Sequence, residues 1–134
     1  MPARNDRYIT AEDLYRLQTI SSCEISPDGR HVAFSVHGVD KKTEKKYSNV
    51  WVVPTDAGRA RQFTHGEQRD VRPQWSPRGA EIAFLSNRTD ENQQQIYLVP
   101  FNGGEARRLS DLKGTFGTFD WSPDGRQLVC SFRK

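Results

Sequence analysis

The chain has 134 residues, of which 34% are apolar and 28% charged, with a formal net charge of +3. Its 3 Trp, 4 Tyr and 7 Phe residues argue against a disordered chain, because such chains have few large apolar side chains. The longest aliphatic or aromatic runs, such as Val50 to Val53, are far shorter than the roughly 18 residues of a membrane helix. The start lacks a secretory leader, so we expect a cytoplasmic protein without a membrane partner.

The first predicted element is a short helix within an N-terminal segment, residues 1–19. Thr10 followed three residues later by Asp13 is a variant of the capping box that begins helices. Ile9 and Leu14 stand at the positions of a hydrophobic staple around this cap. The pattern therefore predicts a helix over 11–17, with Leu14 and Leu17 on one face that docks against the following domain.

Three copies of one motif then divide the chain into repeats. The copies are Ile25–Gly29, Trp75–Gly79 and Trp121–Gly125, of the WSPDG type. Each is followed by an alternating apolar pattern typical of a strand, at 31–36, 81–85 and 127–132. The first two copies continue with two further matching strands, at 49–54 and 59–64 in one and at 95–100 and 105–110 in the other.

A repeat of 40–50 residues with four short strands is typical of a β-propeller blade. We therefore predict an all-β fold, a partial β-propeller of about two and a half four-stranded antiparallel blades over residues 20–134. The blades are predicted at 20–64 and 70–110, and the first hairpin of a third at 116–132. Because propellers close with about four to eight blades, we expect the chain to be a fragment of a longer protein or to complete its ring with other copies.

The turn residues agree with this interpretation. In the Ser-Pro-Asp-Gly turn, proline suits the second position and glycine supplies the left-handed conformation that ends the turn. Arg78 replaces the aspartate in the second copy, at a position that requires no positive φ. Ile25, Trp75 and Trp121 precede the three turns at equivalent positions, where we expect the tryptophans to pack between blades rather than bind a ligand.

No catalytic, cofactor or metal site is predicted within the chain. It has no Gly-x-Ser-x-Gly, Walker or His-Glu-x-x-His motif, and Cys23 and Cys130 form no metal-ligand pair, so we expect packing roles for both. The histidines at 31, 37 and 65 are expected to be structural or solvated. The lysines at 41, 42, 45 and 46 form the one dense basic cluster, which favours a solvated loop over a nucleic-acid interface.

The longer connections are the remaining candidates for a binding role. In a four-stranded antiparallel blade, tight turns lie on one rim and the connections 38–47, 65–69, 87–93 and 111–115 on the opposite rim. Rigid scaffolds commonly carry binding residues on such loops. We therefore consider the charged loop Val39–Tyr47 and the loop at Asn87–Arg88 as surfaces that face a partner domain or a peptide; the alternative is that both are solvated.

The ordered motifs resemble the opening of acylaminoacyl-peptidase-like members of the prolyl oligopeptidase family, from about residue 9 to residue 132. The resemblance is carried by Ile9–Leu14, Ser26–Arg30, Val32–Phe34, Ser48–Trp51, Arg61–Gly66, Pro73–Pro77, Ile82–Arg88, Gly103–Leu109 and Phe119–Gly125. It implies a parent enzyme in which this propeller precedes an α/β-hydrolase domain with a Ser-Asp-His triad and restricts that site to short peptides. The triad positions lie outside these 134 residues, so the resemblance implies peptidase activity for the parent and none for this chain alone.

Two other interpretations stay open. The same turns occur in the propeller of the periplasmic Tol-system protein, a non-catalytic scaffold, which would have a secretory signal and usually an extra N-terminal domain. A self-associating interaction module is the second, and it would be a homo-oligomer whose copies bring the blades to a closed number.

Overall fold

Ten strands follow one 3₁₀ helix in the computed structural model, which describes residues 8–134. The fold class predicted from the repeats, an all-β partial propeller, is confirmed, and within each sheet neighbouring strands are antiparallel. The helix is Ala11–Tyr15, and the strands are β1 Thr19–Ile25, β2 His31–Val39, β3 Lys46–Pro54, β4 Arg61–Gln62, β5 Asp70–Trp75, β6 Glu81–Asp90, β7 Gln93–Pro100, β8 Arg107–Arg108, β9 Thr115–Trp121 and β10 Leu128–Arg133.

The strands form three sheets in chain order. Strands β1–β4 make the first blade, β5–β8 make the second, and β9 pairs with β10 alone. The central hairpins are longer than predicted, because β2 continues to Val39 and β6 to Asp90. The predicted loop 87–93 is therefore wrong in extent: residues 91 and 92 alone separate β6 from β7.

The fourth strand of each blade is shorter than the six residues predicted. Only two residues pair in the ladder, because a hydroxyl side chain two positions after the strand accepts the next amide of the neighbouring strand. The Val50 amide donates to Thr64 Oγ1 at 2.9 Å, and the Ile96 amide donates to Ser110 Oγ at 2.8 Å. The two blades thus end their outer strands with the same side-chain substitution for a ladder bond.

The core lies between the sheets, and the second blade is buried on both faces. Successive side chains along its strands point to opposite faces of the sheet, as the two-residue repeat of a β-strand requires. One set of side chains of the second blade packs against the first blade: Trp75, Ile82, Phe84, Tyr97 and Val99. Their partners in the first blade are Ala33, Val50 and Val52. The other set packs against the β9–β10 hairpin and consists of Ala83, Leu85, Ile96 and Leu98, together with Phe116 and Phe119.

Trp75 and Trp121, which precede the second and third turns, join successive sheets, as predicted. Trp75 is 8% exposed, and its indole Nε1 donates to the Glu24 carbonyl of the first blade at 3.0 Å. Trp121 Nε1 donates at 3.3 Å to the Gln74 carbonyl of the second blade, which is the equivalent atom one repeat later. Ile25, at the equivalent position of the first copy, is 60% exposed, because no sheet precedes β1 among residues 8–134.

The Ser-Pro-Asp-Gly turns have one hydrogen-bond pattern. In the first copy Ser26 Oγ donates to Asp28 Oδ1 at 2.6 Å, and the amide of Arg30 donates to the same oxygen at 3.0 Å. These bonds hold the pKa of Asp28 below its ordinary value, and the equivalent bonds from Ser122 and Arg126 lower the pKa of Asp124 in the third copy. The closing glycines have φ of 71–72°, the left-handed conformation that was predicted.

Arg78 stands where the other two copies carry this aspartate. We expect Arg78→Asp to raise the midpoint of urea-induced unfolding, because the new carboxylate would accept the same two hydrogen bonds in the turn. The reverse substitution, Asp124→Arg, is the matched control and should lower the midpoint. An unchanged or lower midpoint for Arg78→Asp would contradict this prediction.

The N-terminal helix differs from the prediction in length and packing. It is a 3₁₀ helix that ends at Tyr15, because the chain turns to enter β1 at Thr19. The Thr10 amide does donate to Asp13 Oδ2 at 2.8 Å, as the cap predicts. The staple and the docked face are wrong, since Ile9 is 92%, Leu14 54% and Leu17 64% exposed.

Candidate functional site

The connections of the blades lie on two opposite rims. On the tight-turn rim, the hydroxyl of Thr55 donates to the Gly29 carbonyl at 2.7 Å and thereby joins the β1–β2 and β3–β4 turns. On the opposite rim, which we call the long-connection rim, lie the loops 40–45 and 63–69 and the β6–β7 turn. The division of the connections between two rims agrees with the prediction from strand order.

The loop 40–45 is ordered by one aspartate. Asp40 Oδ1 accepts the amides of Lys42 and Thr43 at 2.8 and 2.9 Å, and these backbone bonds lower the pKa of Asp40. Glu44 adopts a φ of 56° where the loop turns back toward β3. The lysines of this loop stay exposed, as predicted.

The two candidate loops are neighbours on the long-connection rim. Lys45 Nζ lies 2.6 Å from Glu91 Oε1 of the β6–β7 turn, and Lys41 Nζ lies 2.7 Å from Glu12 Oε2 of the helix. A polar cavity of about 600 Å³ lies between the loops, lined by Lys45, Lys46, Glu67, Gln68, Arg69, Asn87, Arg88, Glu91 and Asn92. The structure thus brings the loop at 39–47 and Asn87–Arg88 to one site.

Arg88 is the ion-pair partner of a buried carboxylate, although the sequence suggests a loop residue. It lies on β6, and its Nη2 is 3.0 Å from both carboxylate oxygens of Asp70, which is fully buried. Gln68 Nε2 donates to Asp70 as well, and the guanidinium lies 5.2 and 5.0 Å from the ring centroids of Phe84 and Tyr97. The side chain is 28% exposed and lines the polar cavity, while Asp70 holds its guanidinium group.

A second cavity on this rim lies between the N-terminal helix and the first blade. It measures about 530 Å³ and is lined by Leu14, Leu17, Thr19, Ser21, His37, Gly38, Val39, Lys46, Tyr47 and Arg69. Ser21 Oγ and His37 Nε2 lie 2.5 Å apart in its wall. Because Lys46 and Arg69 line both cavities, the two form adjoining parts of one groove on the rim.

The Ser21–His37 pair was missed in the sequence. The two residues are 16 positions apart, and the antiparallel register of β1 and β2, which sets Thr19 opposite His37, brings them together. The predicted hairpin contains only part of that signal, because its turn fixes the register beside it, but a β-bulge between Ser21 and Glu24 shifts the pairing by one residue before Ser21. A half-buried serine–histidine contact alone lacks the acid and the oxyanion donors of a hydrolase triad, and we therefore treat it as part of a binding surface.

Burial lowers the pKa of His37 below its ordinary value of 6.5, and the charge of Arg69 lowers it further. Between the two pKa values the unfolded chain binds more protons than the folded chain. We therefore expect the free energy of unfolding to fall as the pH decreases through 6.5, and to level off below the folded pKa. Urea titrations from pH 5 to 7.5 test this: His37→Gln should lose that part of the pH dependence, and an unchanged slope would contradict it.

The remaining sequence candidates have structural or exposed positions. His31 packs edge-on against Phe101 with ring centroids 4.9 Å apart, and His65 is exposed. Cys130 is partly buried against the second core cluster, whereas Cys23 is exposed, so the packing role expected for Cys23 is wrong. Within residues 8–134 there is no cluster of three or more His, Cys, Asp or Glu that could hold a metal, and no helix long and apolar enough to cross a membrane.

Comparison with known proteins agrees with the fold and with the predicted resemblance to peptidases. The protein named uncharacterized peptidase YuxL of Bacillus subtilis (strain 168) is 34% identical over 82 residues, which are 61% of this chain and 12% of that protein. The crystal structure of Pyrococcus horikoshii acylaminoacyl peptidase matches 87% of this chain and 17% of that chain, with a TM-score of 0.71 and 17% identity, which shows the fold alone.

A second solved structure carries the name TolB and not the name of a peptidase. Putative TolB from Agrobacterium tumefaciens is 30% identical, with a TM-score of 0.65, over 81% of this chain and 36% of that chain. The family model of the TolB beta propeller domain matches residues 16–134, nearly the whole chain. The repeats, the stacked four-stranded sheets and this match agree, and the chain belongs to the TolB β-propeller domain family.

Proposed function

We propose that this chain is the N-terminal propeller part of a cytoplasmic serine peptidase of the prolyl oligopeptidase family. In that protein the propeller covers a C-terminal α/β-hydrolase domain and restricts its access to short peptides. The proposal is supported by the peptidase relative, of which the matched residues span 12%. The catalytic serine, aspartate and histidine would belong to the hydrolase domain, where histidine takes the serine proton and backbone amides hold the oxyanion.

The observation that carries the proposal is the topology of the blades. Each complete blade has four sequential antiparallel strands with its β1–β2 and β3–β4 type turns on the tight-turn rim. The first strand of a blade therefore begins, and the fourth strand ends, on the long-connection rim. A domain joined to either end of such a propeller is attached at this rim, so the groove and the charged loops would face the hydrolase domain.

The first experiment is the intact mass of the native gene product together with labelling by a fluorophosphonate. A product much larger than the 15.4 kDa of this chain, labelled at a serine outside residues 1–134, is the expected result. A native product of 15.4 kDa would overturn the proposal.

Gating by the rim has its own test in the native-length protein. Replacing residues 41–44 by two glycines should raise kcat/KM several-fold for long peptides and leave a dipeptide substrate unchanged, because the opening is widened without contact to the reacting atoms. The matched control shortens the Asp56–Gly58 turn on the opposite rim. Equal effects on long and short substrates, or equal effects of the two deletions, would contradict gating.

The likeness to the Agrobacterium tumefaciens TolB structure favours a second candidate, a non-catalytic propeller scaffold. It predicts a native product that fluorophosphonate does not label. A scaffold that completes its ring from several copies would, in addition, elute as a defined oligomer in size-exclusion chromatography with light scattering.

A further inference from the structure

The groove on the long-connection rim carries two cations that form no ion pair with any of the described residues. Lys46 and Arg69 line both of its cavities, and neither forms an ion pair with any residue in the described range 8–134. By contrast, Lys45 and Arg88 on the same rim are paired, with Glu91 and Asp70. Lys46 and Arg69, at the junction of the two cavities, therefore carry positive charge that no salt bridge among residues 8–134 neutralises, and the carboxylate of Glu67 lines the first cavity only.

The cavity beside the helix combines this charge with apolar walls. Of its ten lining residues two are cations and none is a carboxylate. Leu14 and Leu17 remain more than half exposed on the helix side, so they offer apolar surface that the fold itself does not bury. The volume of about 530 Å³ lies within the range of about 300–1,000 Å³ typical of small-molecule sites.

The wall opposite the helix is fixed by close packing. A Cβ atom on Gly38 would lie 2.5 Å from the hydroxyl oxygen of Tyr47, so the ring of Tyr47 lies directly on the backbone of β2. Ser21 and His37 hold each other in the same wall. The cavity is thus a formed site with polar groups at defined places, and Asn87 Oδ1 anchors the Arg69 backbone amide at 2.7 Å.

We propose that this cavity binds the C-terminal residue of a peptide, with an apolar side chain between Leu14, Leu17 and Tyr47 and the free carboxylate on Arg69 and Lys46. A C-terminal leucine or phenylalanine presents an apolar side chain and a carboxylate on one residue, as the cavity requires. The guanidinium group suits a carboxylate because it donates two parallel hydrogen bonds. The inference uses only residues of this chain, so it does not rest on the gating role proposed above.

Fluorescence polarisation with two labelled pentapeptides tests the site in the native-length protein. Both end in leucine, one with a free carboxylate and the other with a C-terminal amide. We expect the free acid to bind about tenfold or more tightly than the amide, the fold-change that corresponds to one charge-assisted hydrogen bond. Equal binding of the acid and the amide would overturn the proposal.

Substitutions then assign the binding to this cavity. Arg69→Gln should remove most of the preference for the free acid, whereas Arg126→Gln, on the tight-turn rim, should keep it. Leu17→Ser should weaken both peptides alike, because it removes apolar contact without changing charge. Leu17 and Arg69 are exposed, so neither substitution disturbs the core. A preference for the acid that survives in Arg69→Gln would place the binding elsewhere and refute the assignment.

Discussion

Replacing Arg88 by methionine is expected to lower the free energy of unfolding by about 3 kcal/mol, the lower end of the range for a broken buried ion pair. The substitution leaves the fully buried Asp70 carboxylate without its guanidinium partner, and only Gln68 remains as a donor side chain. The 28% exposure of the Arg88 side chain keeps the loss near that lower end. Urea denaturation followed by circular dichroism measures it.

The double variant Asp70→Leu/Arg88→Met separates the charge from the packing. Replacing both partners of a buried ion pair by apolar residues is often close to neutral, so most of the lost stability should return. Arg69→Met is the matched control on the same rim, and it should change the free energy of unfolding by less than about 0.5 kcal/mol. If Arg88→Met alone proved as stable as Arg69→Met, the Asp70–Arg88 pair would contribute nothing to the stability.

The propeller fold is predictable from the sequence because its determinants are local and repeated. The turn Ser26–Gly29 recurs as Ser76–Gly79 and Ser122–Gly125, and each is followed by an alternating strand. Proline, aspartate and glycine at fixed positions determine such turns without tertiary contacts. The lengths predicted for the outer strands are too large, because the pattern does not reveal that the Thr64 hydroxyl replaces a backbone carbonyl as the acceptor for the Val50 amide.

The candidate site is less predictable, since it depends on contacts between elements. Asn87 and Arg88 look like loop residues in the sequence, but the ion pair with Asp70, 18 positions earlier, holds Arg88 against β5. Leu14 and Leu17 have the spacing of a docked helical face, yet the helix ends at Tyr15, before a second turn forms. Arg69 forms no ion pair with residues 8–134, and no local pattern in the sequence shows which charged side chains become paired.

Replacing Trp75 by alanine is the change with the largest expected effect. We expect a loss of about 3–5 kcal/mol in the free energy of unfolding, as for other buried tryptophans. The ring packs in the cluster shared by the first two blades, with its centroid 5.0 Å from that of Phe101, and its Nε1 holds the Glu24 carbonyl. Alanine would leave a cavity between the blades and remove the one indole donor that joins them.

Two further variants divide this loss into its parts. Trp75→Phe keeps most of the apolar area but removes the donor, so it should cost about 1–3 kcal/mol, the desolvation of an unpaired carbonyl. Trp121→Ala, at the equivalent position of the next sheet, should cost less than Trp75→Ala because Trp121 is only partly buried. If Trp121→Ala proved as damaging as Trp75→Ala, the stability would not follow burial, and the β9–β10 hairpin would be held as firmly as the two complete blades.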